Sequence, residues 1–179
     1  ETFAINGGTS RNRRVTEVNV PFSGAQIWSV DPRGRVWVAV TDRYRLERRA
    51  FDGSPTLAVE RESRPIRVSR ADRDRVLKSY EWFERQGGKV DPSRIPDTYP
   101  ALNSFFFDDG DHLWVQPAAQ SARTSPLDVF DAGGKYLGRV VAPGRLLARP
   151  APVIRGGRMA ALTRDGDDVP IVVVMRLQK

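Results

Sequence analysis

The stretch Phe106-Phe107-Asp108-Asp109-Gly110-Asp111-His112-Leu113-Trp114-Val115 decides how this chain is read. Two others echo it: Ser29-Val30-Asp31-Pro32-Arg33-Gly34-Arg35-Val36-Trp37-Val38 and Pro152-Val153-Ile154-Arg155-Gly156-Gly157-Arg158-Met159-Ala160-Ala161. Each leads from an apolar run through a turn rich in Asp or Gly into a second apolar run that carries Trp or Met. Asp and Gly suit tight turns because Asp bonds to nearby backbone amides and Gly accepts positive φ. Apolar runs on both sides of such a turn predict a hairpin between buried strands. A hairpin that recurs along a chain predicts a repeat architecture.

Outward from the first echo, apolar or alternating runs near 25–30, 36–40, 44–48 and 56–60 are separated by short polar turns, the last at Phe51-Asp52-Gly53-Ser54-Pro55. Four strands joined in this way form an antiparallel meander. Around the central stretch the same order returns at 102–107, 112–116, 127–130 and 136–141, and Asp131-Ala132-Gly133-Gly134-Lys135 stands in the place of the earlier Asp-Gly turn. A third unit starts at 151 and ends one strand short. Between the first two, Ser69-Arg70-Ala71-Asp72 has the form of a capping box, and Val76, Leu77, Tyr80 and Phe83 mark one helical face that Gly87-Gly88 ends. Trp82 is expected to plug that helix onto a sheet. The run 14–20, with Val15, Val18 and Val20, alternates as a lone strand.

The spacing fits a β-propeller. Gly110 and Gly157 lie about 47 residues apart, and four-stranded blades repeat at about 40–50. The expected fold is all-β: about three four-stranded antiparallel meanders as propeller blades, with one helical insertion. The units span 25–62, 101–142 and 151–179, the insertion 63–99, and residues 1–13 form a flexible lead-in to a domain covering 14–179. Propeller rings have about four to eight blades, so three cannot close one. Either the remaining blades lie outside this chain, or two copies complete six as a homodimer.

The Asp-x-x-Gly-x-Val-Trp-Val hairpin at 31–38, its partner at 108–115, the Phe-Asp turns at Phe51 and Phe130 and the closing run 166–173 resemble the six-bladed, NHL-like and TolB-like β-propeller proteins of bacteria. The resemblance implies a propeller and an extracytoplasmic or periplasmic setting, and implies no reaction.

Composition narrows the chemistry. Cys is absent, which removes disulfides and thiolate chemistry, and the single His112 cannot build a multi-histidine metal site. No apolar run approaches the roughly 20 residues that a membrane span needs. The net charge is +7, carried mostly by Arg. These arginines are spread through every segment and often stand beside Asp or Glu, as in Arg45-Leu46-Glu47-Arg48-Arg49 and Arg73-Asp74-Arg75, as on a solvated surface, so nucleic acid is not the expected partner.

Asp108, Asp109 and Asp111, and likewise Asp165, Asp167 and Asp168, have the oxygen chemistry of a Ca²⁺ ligand set, yet turns demand the same residues. No metal and no cofactor is therefore expected. Trp28, Trp37 and Trp114 are expected to pack between blades. Propeller ligands meet the face built by loops that join strands two and three and lead into the innermost strand. Here those loops hold Asp42, Arg43, Gln116, Gln120, Arg145, Arg164 and Asp165, whose charges suit a polar or carboxylate ligand. The expected function is a non-catalytic binding or scaffold module for a protein or small polar ligand. One alternative is a metal-dependent hydrolase resembling the gluconolactonase-like propellers, although Ser29, Ser104 and Pro152 occupy the region where its acidic ligands would stand. The other is nucleic-acid binding through the basic surface.

Overall fold

A computed structural model describes residues 1–9, 12–118 and 123–177. Among these residues the strands form four antiparallel sheets. A hairpin joins β1 (Thr2–Thr9) to β2 (Asn12–Asn19). The first meander is β3 (Gln26–Val30), β4 (Val36–Val40), β5 (Arg45–Arg49) and β6 (Pro55–Glu60). The second is β7 (Leu102–Phe107), β8 (Leu113–Pro117), β9 (Thr124–Phe130) and β10 (Tyr136–Pro143). The third has three strands, β11 (Val153–Arg155), β12 (Arg158–Arg164) and β13 (Pro170–Arg176). Two helices, α1 (Arg70–Ser79) and α2 (Glu81–Arg85), stand between the first two meanders.

Among the described residues one turn headed by Asp occurs four times, and Ala50–Ser54 repeats its backbone bonds without the carboxylate. At Asp31 the amide donates to Arg35 O, Gly34 N donates back to Asp31 O, and Oδ1 accepts from Arg33 N and Arg35 N at 3.0 Å. Asp108, Asp131 and Asp165 repeat all four bonds. The fourth residue takes positive φ each time, as Gly34, Asp111, Gly134 and Asp168. This is a three-residue loop closed by a left-handed residue, and the carboxylate satisfies amides that the loop would otherwise leave bare. In two copies the same carboxylate also orients a tryptophan: Trp37 Nε1 donates to Asp31 Oδ2 and Trp114 Nε1 to Asp108 Oδ2, each at 3.0 Å. A buried indole needs such an acceptor, so turn and core are fixed by one side chain.

The three meanders stack face to face. Trp37, Ala39, Leu46 and Val59 of the first pack against Phe105, Leu113, Val115 and Phe130 of the second. The other face of the second, with Phe106, Trp114, Leu127 and Val129, meets Ile154, Met159 and Ala161 of the third. Each of the two tryptophans thus points at the following sheet. Met159 points back at the preceding one, because the third hairpin turns on only Gly156 and Gly157, both at positive φ. A changed loop length shifts the register and exchanges the faces. The first strands gather along one line, with β7 beside both β3 and β11.

The middle sheet's turn ties its neighbours together. Asp111 accepts from Arg35 Nη2 at 2.8 and 3.1 Å and pairs with Arg33, while Asp109 Oδ2 accepts from Gly156 N at 2.9 Å.

Several expectations are corrected. Residues 1–13, expected as a flexible lead-in, contain β1, paired along its length with β2; alternating burial places Phe3 in a core with Val20, Phe83 and Ile95. The lone strand at 14–20 is therefore one arm of a hairpin. Ser69 does cap α1, accepting from Asp72 N at 3.1 Å. The helical run breaks at Tyr80, and Phe83, not Trp82, anchors it; the anchor is the β1–β2 hairpin and not a meander. Gly88 lies so close under the Phe83 ring that a Cβ there would come within 2.4 Å of it. Of the three tryptophans expected between blades, Trp37 and Trp114 are packed between sheets, and Trp28 is 69% exposed on the outer face of the first sheet, which no described sheet covers.

Candidate binding site

A cleft of about 270 Å³ opens between the first two sheets, at the end that bears their longer connections. Its floor is built from strands and its walls from the two flanks of the helical insertion, residues 61–66 and 98–101. The floor holds Asp128 of β9, whose side chain is fully buried. Asp128 Oδ2 accepts from Tyr44 Oη at 2.8 Å, a bond that crosses from sheet to sheet. Arg139, its cross-strand neighbour on β10, donates Nε to Oδ1 at 2.8 Å and Nη2 to Oδ2 at 3.1 Å. Arg61 comes from the chain just after β6; its Nη1 lies 2.8 Å from Asp128 Oδ1, an ion-pair distance off the hydrogen-bond direction. The Arg61 guanidinium also rests over the Tyr136 ring, 4.2 Å from its centre.

Burial alone would raise the Asp128 carboxyl above its ordinary value. The hydrogen bonds from Arg139 and Tyr44, with the charges of Arg139 and Arg61, reverse this and hold its carboxyl below the ordinary carboxylate value. Burial and the adjoining carboxylate push the Tyr44 hydroxyl far above its ordinary value, so it remains a neutral donor. A buried carboxylate must be paired in this way, since an unpaired charge in the interior is very costly. Two arginines against one carboxylate leave a positive floor.

The residues expected to bind a ligand are not gathered in one place. Asp42 is exposed in the β4–β5 turn at the mouth of this cleft, and Arg43 beside it faces the outer side of the first sheet. Gln116 is buried and structural: its Oε1 accepts from Ser104 Oγ at 3.0 Å and its Nε2 donates to Leu146 O at 3.1 Å. Arg145 is exposed over a second cleft, of about 250 Å³, between the second sheet and the connection that follows β10. Arg164 bonds to Asp168 O, and Asp165 heads the fourth copy of the recurrent turn. Gln120 lies outside the described residues.

Tyr44, Arg61, Asp128 and Arg139 escaped the sequence reading. The signal that could have found them is Asp128 itself, a carboxylate inside the apolar run Leu127-Asp128-Val129-Phe130, where a charge requires partners. Of the aspartates with Ca²⁺-ligand chemistry, Asp108 and Asp165 bond the amides of their turns, Asp109 and Asp111 make contacts between sheets, and Asp168 pairs with Arg164. No group of three or more side chains suited to a metal ion is gathered among the described residues. No helix among them is long and apolar enough to cross a membrane. Comparison with family models, curated proteins and solved structures finds no match.

Proposed function

We propose that the chain is a segment of a β-propeller and serves as a non-catalytic binding module whose ligands meet the end carrying the longer connections. The observation that carries this reading is the side-by-side placement of β3, β7 and β11, the first strands of three stacked meanders. A common axis lined by first strands is how blades are arranged around a ring. The cleft floored by Asp128 and the one beside Arg145 both open at the same end of this stack.

The two end faces support the ring. Trp28, Val36 and Val40 on the first sheet and Val153, Val172 and Val174 on the third are exposed apolar side chains. Each face has the character of the surfaces buried between sheets, and a closed ring would cover both. Three further blades complete six, supplied either by a second copy or by a partner bearing the other half. Sedimentation equilibrium separates the two. A particle of twice the 20.1 kDa chain mass is expected for the homodimer. A monomer leaves the other half to a partner, and a compact elongated rod in small-angle scattering would overturn the ring.

The binding role is tested against its two alternatives on the same material. Calcium-dependent lactone hydrolysis would replace it with the hydrolase reading, and steeply salt-dependent retention on DNA with the nucleic-acid reading. The expected result is neither.

A further inference from the structure

We infer that the cleft between the first two sheets is a site for a small monocarboxylate with an apolar body, its carboxylate held by Arg61 and Arg139. This deepens the binding-module reading and rests on it.

The argument begins with donors. A guanidinium carries five N–H groups in a fixed fork, and a carboxylate matches that fork. Arg139 spends Nε and Nη2 on Asp128, which leaves Nη1. Arg61 Nη1 is buried at ion-pair distance from Asp128 Oδ1, so what Arg61 offers the cleft is its other guanidinium nitrogens. Asp128 can absorb no more: its two oxygens already take Tyr44, Tyr136 and both Arg139 donors, with the Arg61 charge beside them. The side chains of Arg61 and Arg139 are 37% and 45% exposed, so both can be reached from the cleft. A ligand carboxylate would complete the neutralisation that Asp128 begins.

The rest of the cleft selects the body and the charge. Tyr99, Pro65 and Pro100 on the walls and Pro117 and Pro126 on the floor give the cleft apolar surface, beside the hydroxyls of Ser63 and Thr98. At about 270 Å³ the space lies just under the ~300 Å³ where ordinary ligand pockets begin, so the occupant is small. Asp42 and Glu62 stand exposed at the mouth with Arg64. Two carboxylates against one guanidinium repel a ligand of high negative charge, which favours one carboxylate over a phosphate or polyanion. Asp128 has a second role in this arrangement: it positions the two arginines.

Benzoate is the probe, followed by amide chemical shifts of the full chain in two-dimensional NMR. The expected result is saturable shifts of amides within 61–66 and 98–101. Benzamide, the neutral analogue, should need at least about tenfold higher concentration, the scale of a lost charge-assisted bond. Inorganic phosphate should not compete. Ser63→Trp, which fills the mouth without touching the floor, should abolish the benzoate shifts while the remaining spectrum is kept. Arg61→Gln should weaken benzoate to a similar degree as the neutral analogue. Equal response to benzamide, competition by phosphate, shifts confined elsewhere, or full binding in Ser63→Trp would each overturn the site. Those outcomes leave the solution mass and shape untouched, so a failure here is distinct from a failure of the propeller reading.

Discussion

Asp128 and Glu47 occupy the same place in successive sheets, since Val115 pairs with Asp128 as Val38 pairs with Glu47. The same register sets Trp28, Val36 and Val38 of the first sheet where the second has Phe105, Leu113 and Val115. In the second sheet this whole set is covered by its neighbour, and Asp128 receives Tyr44 and Arg61 across the gap. In the first sheet Trp28 and Val36 face outward, and Glu47 has only Arg45 and Arg49 of its own strand. The two faces share a pattern and differ in whether anything covers them. An apolar set with a carboxylate near its centre is thus present on both sheets, covered on one and open on the other.

Substitutions can break this comparison. Trp37→Ala removes a side chain that is 1% exposed and whose indole is bonded to Asp31, and should cost about 3–5 kcal/mol in urea unfolding. Asp128→Ala strands two arginines and a tyrosine hydroxyl, with an expected loss of about 3 kcal/mol. A loss below 1 kcal/mol would mean that the cluster is not closed in solution.

Acid titration sharpens the same contrast. Asp128 and Asp31 are each opposed by burial and overcompensated by hydrogen bonds, so both are held below the ordinary value in the folded chain. Their stabilisation is complete above the unfolded value of about 3.9. As pH falls below that, the unfolded chain takes up protons first, and the contribution is lost on passing through the folded values. Unfolding midpoints followed from pH 6 to pH 2 should fall less steeply in Asp128→Asn than in the parent chain. Glu47→Ala should leave the neutral-pH midpoint nearly unchanged, since water already solvates its arginine partners. The smallest effect belongs to Trp28→Ala, within about 0.5 kcal/mol for the monomeric chain. If two copies close the ring, the same substitution should instead lower the dimer fraction in sedimentation.

The sheets were legible because strand burial and turn chemistry are local. Asp31, Asp108 and Asp131 announce their hairpins through bonds that reach no further than four residues. The capping box at Ser69 was legible for the same reason. What the sequence hid is non-local. The Tyr44–Asp128 bond spans 84 residues, and Arg61 reads as one more surface arginine until β9 is beside it. Over 2–9, Gly7 and Gly8 hide the alternation that Phe3 and Ile5 begin, and the strand is set by pairing with β2. Gln116 looked like a ligand residue from its place near a loop, but its partners Ser104 and Leu146 come from other segments.

The bond from Tyr44 to Asp128 makes the first two sheets unequal partners of the third. Parting them would bare a carboxylate whose arginine and tyrosine come from both sides, whereas the third is joined to the second by an apolar seam and the Asp109–Gly156 clasp. The first seam is therefore held by a buried ionic cluster and the second by apolar packing, backed by the Asp108–Ile154 bridge and by the bonds of Leu162 and Thr163 to the connection at 145–147.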